Sequence, residues 1–257
     1  MEQHLVRLRR RRCERCGSVV PRARLICMPY AGGSATVFRP WREVVPSDID
    51  ILAVEYAGHG SRIAEPLIER IDTLGDAIAD ALQFEAAVPY VMFGHSMGSL
   101  VAFELCHALA KRRAPLPILL VVAGHRGPHE PAATAPVHAA PNAQFVAHLR
   151  DLGATPPEVL ACPELLDLML PILRNDFHAC ETYCPPRRPP LPVSIAVYGG
   201  LADAETDRDG LLAWKRETSV RHVLRMFPGG HFFIRESAAR VVAMLQRDLT
   251  DALADRP

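Results

Sequence analysis

Three observations predict an α/β fold: a mostly parallel central sheet with helices on both faces and a helical cap insertion. Short apolar runs bounded by turn residues alternate with helix-period stretches. One such run passes through a glycine-flanked turn directly into a helical pattern. The alternation then breaks once, over a proline-rich span.

Six runs are read as strands: Leu25 to Met28, Ile51 to Tyr56, Tyr90 to Phe93, Ile118 to Ala123, Val193 to Tyr198 and Val223 to Phe227. They are short, mostly apolar and bounded by turn residues, and their alternation with helices implies a sheet covered on both faces. Between them, about 72–86, 97–112, 207–217 and 235–253 carry apolar residues at three- and four-residue spacing, as in Leu100, Phe103, Leu105, Ala108 and Leu109. From about 126 to 190 two helical patterns, near 141–152 and 163–182, follow one another without a strand, in a span holding more than half of the 23 prolines. An insertion leaving a strand end lies over the place where α/β sheets bind ligands, so it is read as a cap, tied in by the return Pro185 to Pro192. Its stripe of Leu165, Leu166, Leu168, Met169 and Leu170 is assigned to packing rather than to a pocket.

Residues 1–21 stand apart. Arg7, Arg9, Arg10, Arg11, Arg12 and Arg15 repel one another, and the stretch is expected to be a disordered basic leader to a domain over 22–257. Cys13 and Cys16 form a C-x-x-C within it, but no second pair with ligand spacing follows, so no metal is expected.

The 257 residues, 49% apolar, suffice for one large core. Twenty-nine basic and 29 acidic residues cancel, leaving no whole-chain field to attract nucleic acid. Seven cysteines in no visible framework suggest free thiols in a reducing compartment, and neither a signal-peptide core nor a membrane span of ~20 apolar residues is present. A cytoplasmic protein is expected, with neither nucleic acid nor membrane as partner.

The chemistry centres on Gly94-His95-Ser96-Met97-Gly98, a G-x-S-x-G between the strand ending at Phe93 and the helix that follows. Glycines at both ends permit a sharp turn that lifts the Ser96 hydroxyl above the sheet. A serine hydroxyl needs a base within hydrogen-bond reach and a group that orients the base. Among eleven histidines only His231, in Gly229-Gly230-His231-Phe232-Phe233, follows the last strand on a loop able to turn back; His95 is assigned to packing. The orienting acid should follow the preceding strand, where Asp203 comes first and Glu205, Asp207 and Asp209 are rivals. An oxyanion would be met by the N–H of Met97 and by one from the loop Pro29 to Ser34, that of Ala31, with Tyr30 as the alternative. That loop matches neither phosphate-binding glycine pattern.

These segments resemble the type II thioesterases that accompany nonribosomal peptide and polyketide synthases, within the α/β-hydrolase superfamily. The resemblance rests on Leu25 to Ser34, Tyr56-Ala57-Gly58-His59-Gly60-Ser61-Arg62, Phe93 to Gly98, Gly199-Gly200 with Asp203 and Trp214, and Gly229 to Phe233, and spans about 24–250. In that family the catalytic aspartate follows a Gly-Gly pair after two intervening residues and stands upstream of a tryptophan, which selects Asp203. The chain departs from it at Tyr30, where histidine is frequent, and at His59, where arginine is common. The resemblance implies no cofactor and, as substrate, an acyl thioester on the phosphopantetheine arm of an acyl or peptidyl carrier protein, docked by basic residues such as Arg112, Arg113, Arg187 or Arg188. A general carboxylesterase or acyltransferase on the same fold, a carrier-binding module without turnover, and nucleic-acid binding through the leader are the competing expectations.

Overall fold

The structure is a computed structural model that describes residues 5–9, 21–82, 88–131, 134–153, 155 and 157–254; the Cys13 and Cys16 pair lies outside them. Strands β1 (Leu5–Arg9), β2 (Ala23–Met28), β3 (Ile49–Val54), β4 (Tyr90–His95), β5 (Leu119–Ala123), β6 (Ser194–Gly200) and β7 (His222–Phe227) form one sheet in the order β1-β3-β2-β4-β5-β6-β7. All neighbours from β3 to β7 pair in parallel. Every residue of β2, β4, β5 and β6 is buried, as their largely apolar runs require.

Two cores result, one per face. Helices α1 (Ile71–Ala81) and α2 (Met97–Lys111) cover one face through Ile71, Leu74, Ile78, Leu100 and Phe103. The other is closed by the short 3-10 segment Ala35–Glu43, through Phe38 and Trp41, and by α8 (Ala238–Ala254), through Val241, Val242, Leu245 and Leu249. Between β5 and β6 the cap contributes α3 (Asn142–Leu152), α4 (Pro157–Leu160) and α5 (Pro163–Glu181), with a small core of its own from Phe145, Leu149, Leu170 and Leu173. Arg208–Leu212 (α6) and Phe233–Glu236 (α7) are the remaining α-helices among the described residues. The pattern over 235–253 breaks between α7 and α8 because Ser237 leaves helical geometry and turns its hydroxyl onto Pro228 O, 3.0 Å away.

Two expectations are corrected. The basic leader is not wholly without structure: Leu5–Arg9 lies antiparallel on β3, with Leu5 opposite Val54 and Val6 opposite Ala53. Leu5 packs on one core, Val6 and Leu8 on the other, and Arg7, within the strand, reaches the buried Asp50 at 3.3 Å. The cap stripe is also not all packing. Leu170 is buried, whereas Leu165 and Leu168 are 46% and 58% exposed. No helix among the described residues is long and apolar enough to cross a membrane.

Candidate active site

β4 delivers the chain into α2 through Ser96, whose φ of 53° and ψ of −119° lie in a region that side chains other than glycine seldom adopt. The flanking glycines make this turn possible. A Cβ on Gly94 would stand 2.1 Å from Gly98 O, and one on Gly98 would stand 2.2 Å from Met28 O. Ser96 N donates to Ala123 O (2.7 Å), and the buried Ser99 hydroxyl accepts from Ala123 N (3.0 Å), so the end of β5 braces the turn.

The loops after β6 and β7 meet backbone to backbone. A Cβ on Gly200 would stand 2.3 Å from Gly230 O, and Ala202 N donates to Gly229 O (2.9 Å). That contact brings His231 to Asp203: Nδ1 lies 3.0 Å from Oδ2 and 3.2 Å from Oδ1. A carboxylate only accepts, so Nδ1 carries the proton and Nε2 is the basic nitrogen. Asp203 also accepts from Thr206 Oγ1 (2.7 Å) and Glu205 N (2.9 Å). Burial pushes its carboxyl pKa up, but the bonds from His231, Thr206 and Glu205 outweigh burial and hold it below the ordinary value. Of its rivals, Asp207 caps α6 through Gly210 N (2.7 Å), and Asp209 is exposed.

Ser96 and His231 share a cavity of about 460 Å³, floored by Tyr30, Ala31 and Leu100 and roofed by Leu149, Leu173 and Phe177 of the cap. Among the described residues Ser96 makes no direct hydrogen bond to His231; such contacts commonly tighten only with substrate bound. Met97 is the first residue of α2, where a backbone N–H lacks an intrahelical acceptor. In the Pro29 to Ser34 loop, Gly33 N donates to Tyr30 O (2.8 Å) and Gly32 N to Asp176 (2.7 Å). Ala31 N–H has no hydrogen-bond partner among the described residues.

Three side chains do more than the sequence assigns them: His95, read there as packing, Trp214, read there as a marker for Asp203, and Asp176, which goes unremarked. His95, fully buried, donates from Nε2 to His231 O (2.8 Å), and burial first, then the neighbouring His231, lowers its pKa to about 3. It fixes the backbone of His231 rather than merely packing. Trp214 donates to His125 O (2.7 Å) and anchors the loop leaving β5. Asp176, on α5, reaches both Gly32 N and His59. Of the arginines considered for docking, Arg112 is bound to Asp76 and Asp80 and Arg188 to Glu104, while Arg113 and Arg187 are exposed.

The Thioesterase domain family model matches residues 23–249. The gramicidin S biosynthesis protein GrsT of Aneurinibacillus migulanus is 33% identical over 233 residues, 91% of each chain. Thioesterase PikA5 of Streptomyces venezuelae is 35% identical over 217 residues, 83% of this chain and 76% of that protein. RedJ, a thioesterase from the prodiginine biosynthetic pathway of Streptomyces coelicolor, superposes with a TM-score of 0.82 at 35% identity, covering 88% of this chain and 89% of its own. YbtT, the type II thioesterase of the yersiniabactin NRPS/PKS pathway, gives a TM-score of 0.85 at 28% identity over 97% and 99% of the two chains. The chain belongs to the thioesterase family: it is a thioester hydrolase of the α/β-hydrolase fold, akin to the type II thioesterases of nonribosomal peptide and polyketide pathways.

Proposed function

We propose that this enzyme hydrolyses acyl groups from the phosphopantetheine arm of acyl or peptidyl carrier proteins, clearing misprimed or stalled chains, through Ser96, His231 and Asp203. The observation that carries this reading is one arrangement: Ser96 raised on a positive-φ turn into the cavity lined by His231, whose far nitrogen is held by Asp203. His231 Nε2 takes the Ser96 proton as Oγ attacks the thioester carbonyl. The oxyanion is received by the N–H groups of Met97 and Ala31. The tetrahedral intermediate expels the pantetheine thiolate, which His231 protonates. Water, deprotonated by the same nitrogen, then releases the acid from Ser96. The reaction needs no cofactor.

The cavity lies in the lower part of the ~300–1,000 Å³ range of small-molecule sites, which suits a modest acyl group on a narrow arm. Exposed Arg113 and Arg187 are the basic residues left to meet an acidic carrier protein.

Release of a short acyl group from a phosphopantetheinylated carrier protein, followed by intact-protein mass spectrometry, tests the reading. Ser96→Ala should slow release by ~10³-fold or more; undiminished release by the variant would overturn the assignment of the nucleophile. Wild-type enzyme that cleaves a simple oxygen ester of equal chain length but leaves the carrier loaded would discard the carrier-protein role.

A further inference from the structure

The loop proposed to supply the Ala31 N–H is gripped by two buried carboxylates. Glu55, just after β3, accepts from Ala35 N at 2.9 Å. Asp176, brought in by cap helix α5 and 1% exposed, accepts from Gly32 N at 2.7 Å. The same Asp176 oxygen lies 2.8 Å from His59 Nε2, and His59 Nδ1 lies 3.0 Å from Ala57 O.

A carbonyl oxygen and a carboxylate oxygen can only accept. Both ring nitrogens of His59 must therefore donate, and an imidazole that donates twice is an imidazolium. Burial alone would lower its pKa, but the hydrogen bond and charge of Asp176, the Ala57 carbonyl and the charge of Glu55 more than offset burial and raise it above the ordinary histidine value. The other groups around this pair are neutral or already engaged. The Tyr56 ring stands 5.6 Å from His59, and burial raises the pKa of both Tyr56 and Cys180. Arg62 is held by Glu65 and by the Glu55 carbonyl.

Resting on the reading of Ser96 and Ala31 given above, we propose that Asp176 and His59 are positioning residues through which the seated cap orders the oxyanion turn. Asp176 holds the Gly32 peptide so that the preceding Ala31 N–H stays directed at the site, and the His59 imidazolium balances the buried carboxylate. Loss of the His59 proton removes one of its two donors and sets a lone pair against an acceptor. The turn is then released at high pH, although no group that reacts with substrate has changed. The transition state is affected more than the ground state, because the oxyanion forms only as the carbonyl is attacked.

The probe is an acetyl thioester of N-acetylcysteamine, with kcat and KM followed from about pH 5 to about pH 9 to bracket histidine titration. Asp176→Ala should lower kcat by ~10- to 100-fold, the scale of a weakened oxyanion donor, with KM within ~3-fold. Wild-type kcat should fall on the alkaline side. His59→Arg, whose charge does not titrate there, should lose that fall, and His59→Gln should be low at every pH. An unaltered kcat in Asp176→Ala, or an alkaline fall in His59→Arg equal to that of wild type, would overturn the proposal. If Asp176→Ala does not fold, the Arg and Gln variants of His59 decide alone. Ser96→Ala assayed in parallel separates the two layers. Activity surviving in that variant removes the catalytic reading itself, whereas an inactive Ser96→Ala beside unaffected Asp176 and His59 variants removes only the positioning role.

Discussion

His231 meets Asp203 at 3.0 Å and His59 meets Asp176 at 2.8 Å, and both aspartates are buried, yet the two pairs differ at the second ring nitrogen. In the pair formed by the loops after β6 and β7, Nδ1 donates to Asp203 and Nε2 has no acceptor among the described residues. That ring can take a proton. In the pair joining the cap to the sheet, the Ala57 carbonyl occupies the second nitrogen, so the ring is already charged and can only give a proton up. The aspartates differ as well. Asp203 is steadied by Thr206 and Glu205 of its own loop, whereas Asp176 reaches across 144 positions of sequence to Gly32 and holds only while the cap is in place. A histidine next to an aspartate thus does not declare its role; the group on the other nitrogen does.

The sharpest way to break this comparison is Asp203→Asn. The amide keeps the shape but can present a donor to Nδ1, favouring the tautomer in which Nε2 is no longer basic. A fall in kcat/KM of ~10²- to 10⁴-fold is expected, with the melting temperature little changed. Retention of activity within ~10-fold at neutral pH would remove Asp203 from the proposed triad and return Glu205 to consideration.

A smaller effect is expected at His95, a third histidine that neither accepts a substrate proton nor carries charge. Its bond to His231 O fixes the loop, and its pKa of about 3 keeps it neutral at working pH. His95→Phe should cost ~1–3 kcal/mol of stability by leaving the carbonyl unpaired and lower kcat by ~10-fold through misplacement of His231. The shape of the pH profile should stay the same. A changed profile would show that His95 takes part in proton transfer.

The sheet is legible in the sequence because strands buried on both faces need largely apolar runs, and β2 to β6 are built around them. β1 is hidden by its arginines: Leu5, Val6 and Leu8 are too few to signal a strand until the free edge of β3 is there to receive them. Ser96 is legible because it needs glycines on both sides, where an added Cβ would stand near 2 Å from backbone, and His231 because Gly229 before it turns at a φ of 116°. Asp203 needs more than position, since three acids follow it, and only the meeting of the loops after β6 and β7 singles it out. Asp176 has no local signal at all. It lies in a helical stripe 117 residues from His59, and the one trace of their pairing is the histidine standing where the related family commonly has arginine.

The smallest effects, and the ones that separate the two pairs most cleanly, lie in stability against pH. Asp203 has a folded-state pKa below its unfolded value of about 3.9, so its contribution is present above that pH and lost as pH falls through the folded value. His59 has a folded-state pKa above its unfolded value of about 6.5; its contribution is complete below that pH and lost as pH rises through the folded value. Relative to wild type, Asp203→Asn should therefore narrow the stability difference on acidification, and His59→Gln should narrow it on the alkaline side. For a chain of this size ~1 kcal/mol corresponds to ~2–4 °C, so melting curves at about pH 3, 6 and 9 resolve the two. If His59→Gln lowers the melting temperature by the same amount at about pH 6 and about pH 9, His59 is neutral in the folded enzyme, and the contrast between a base and a fixed cation does not hold.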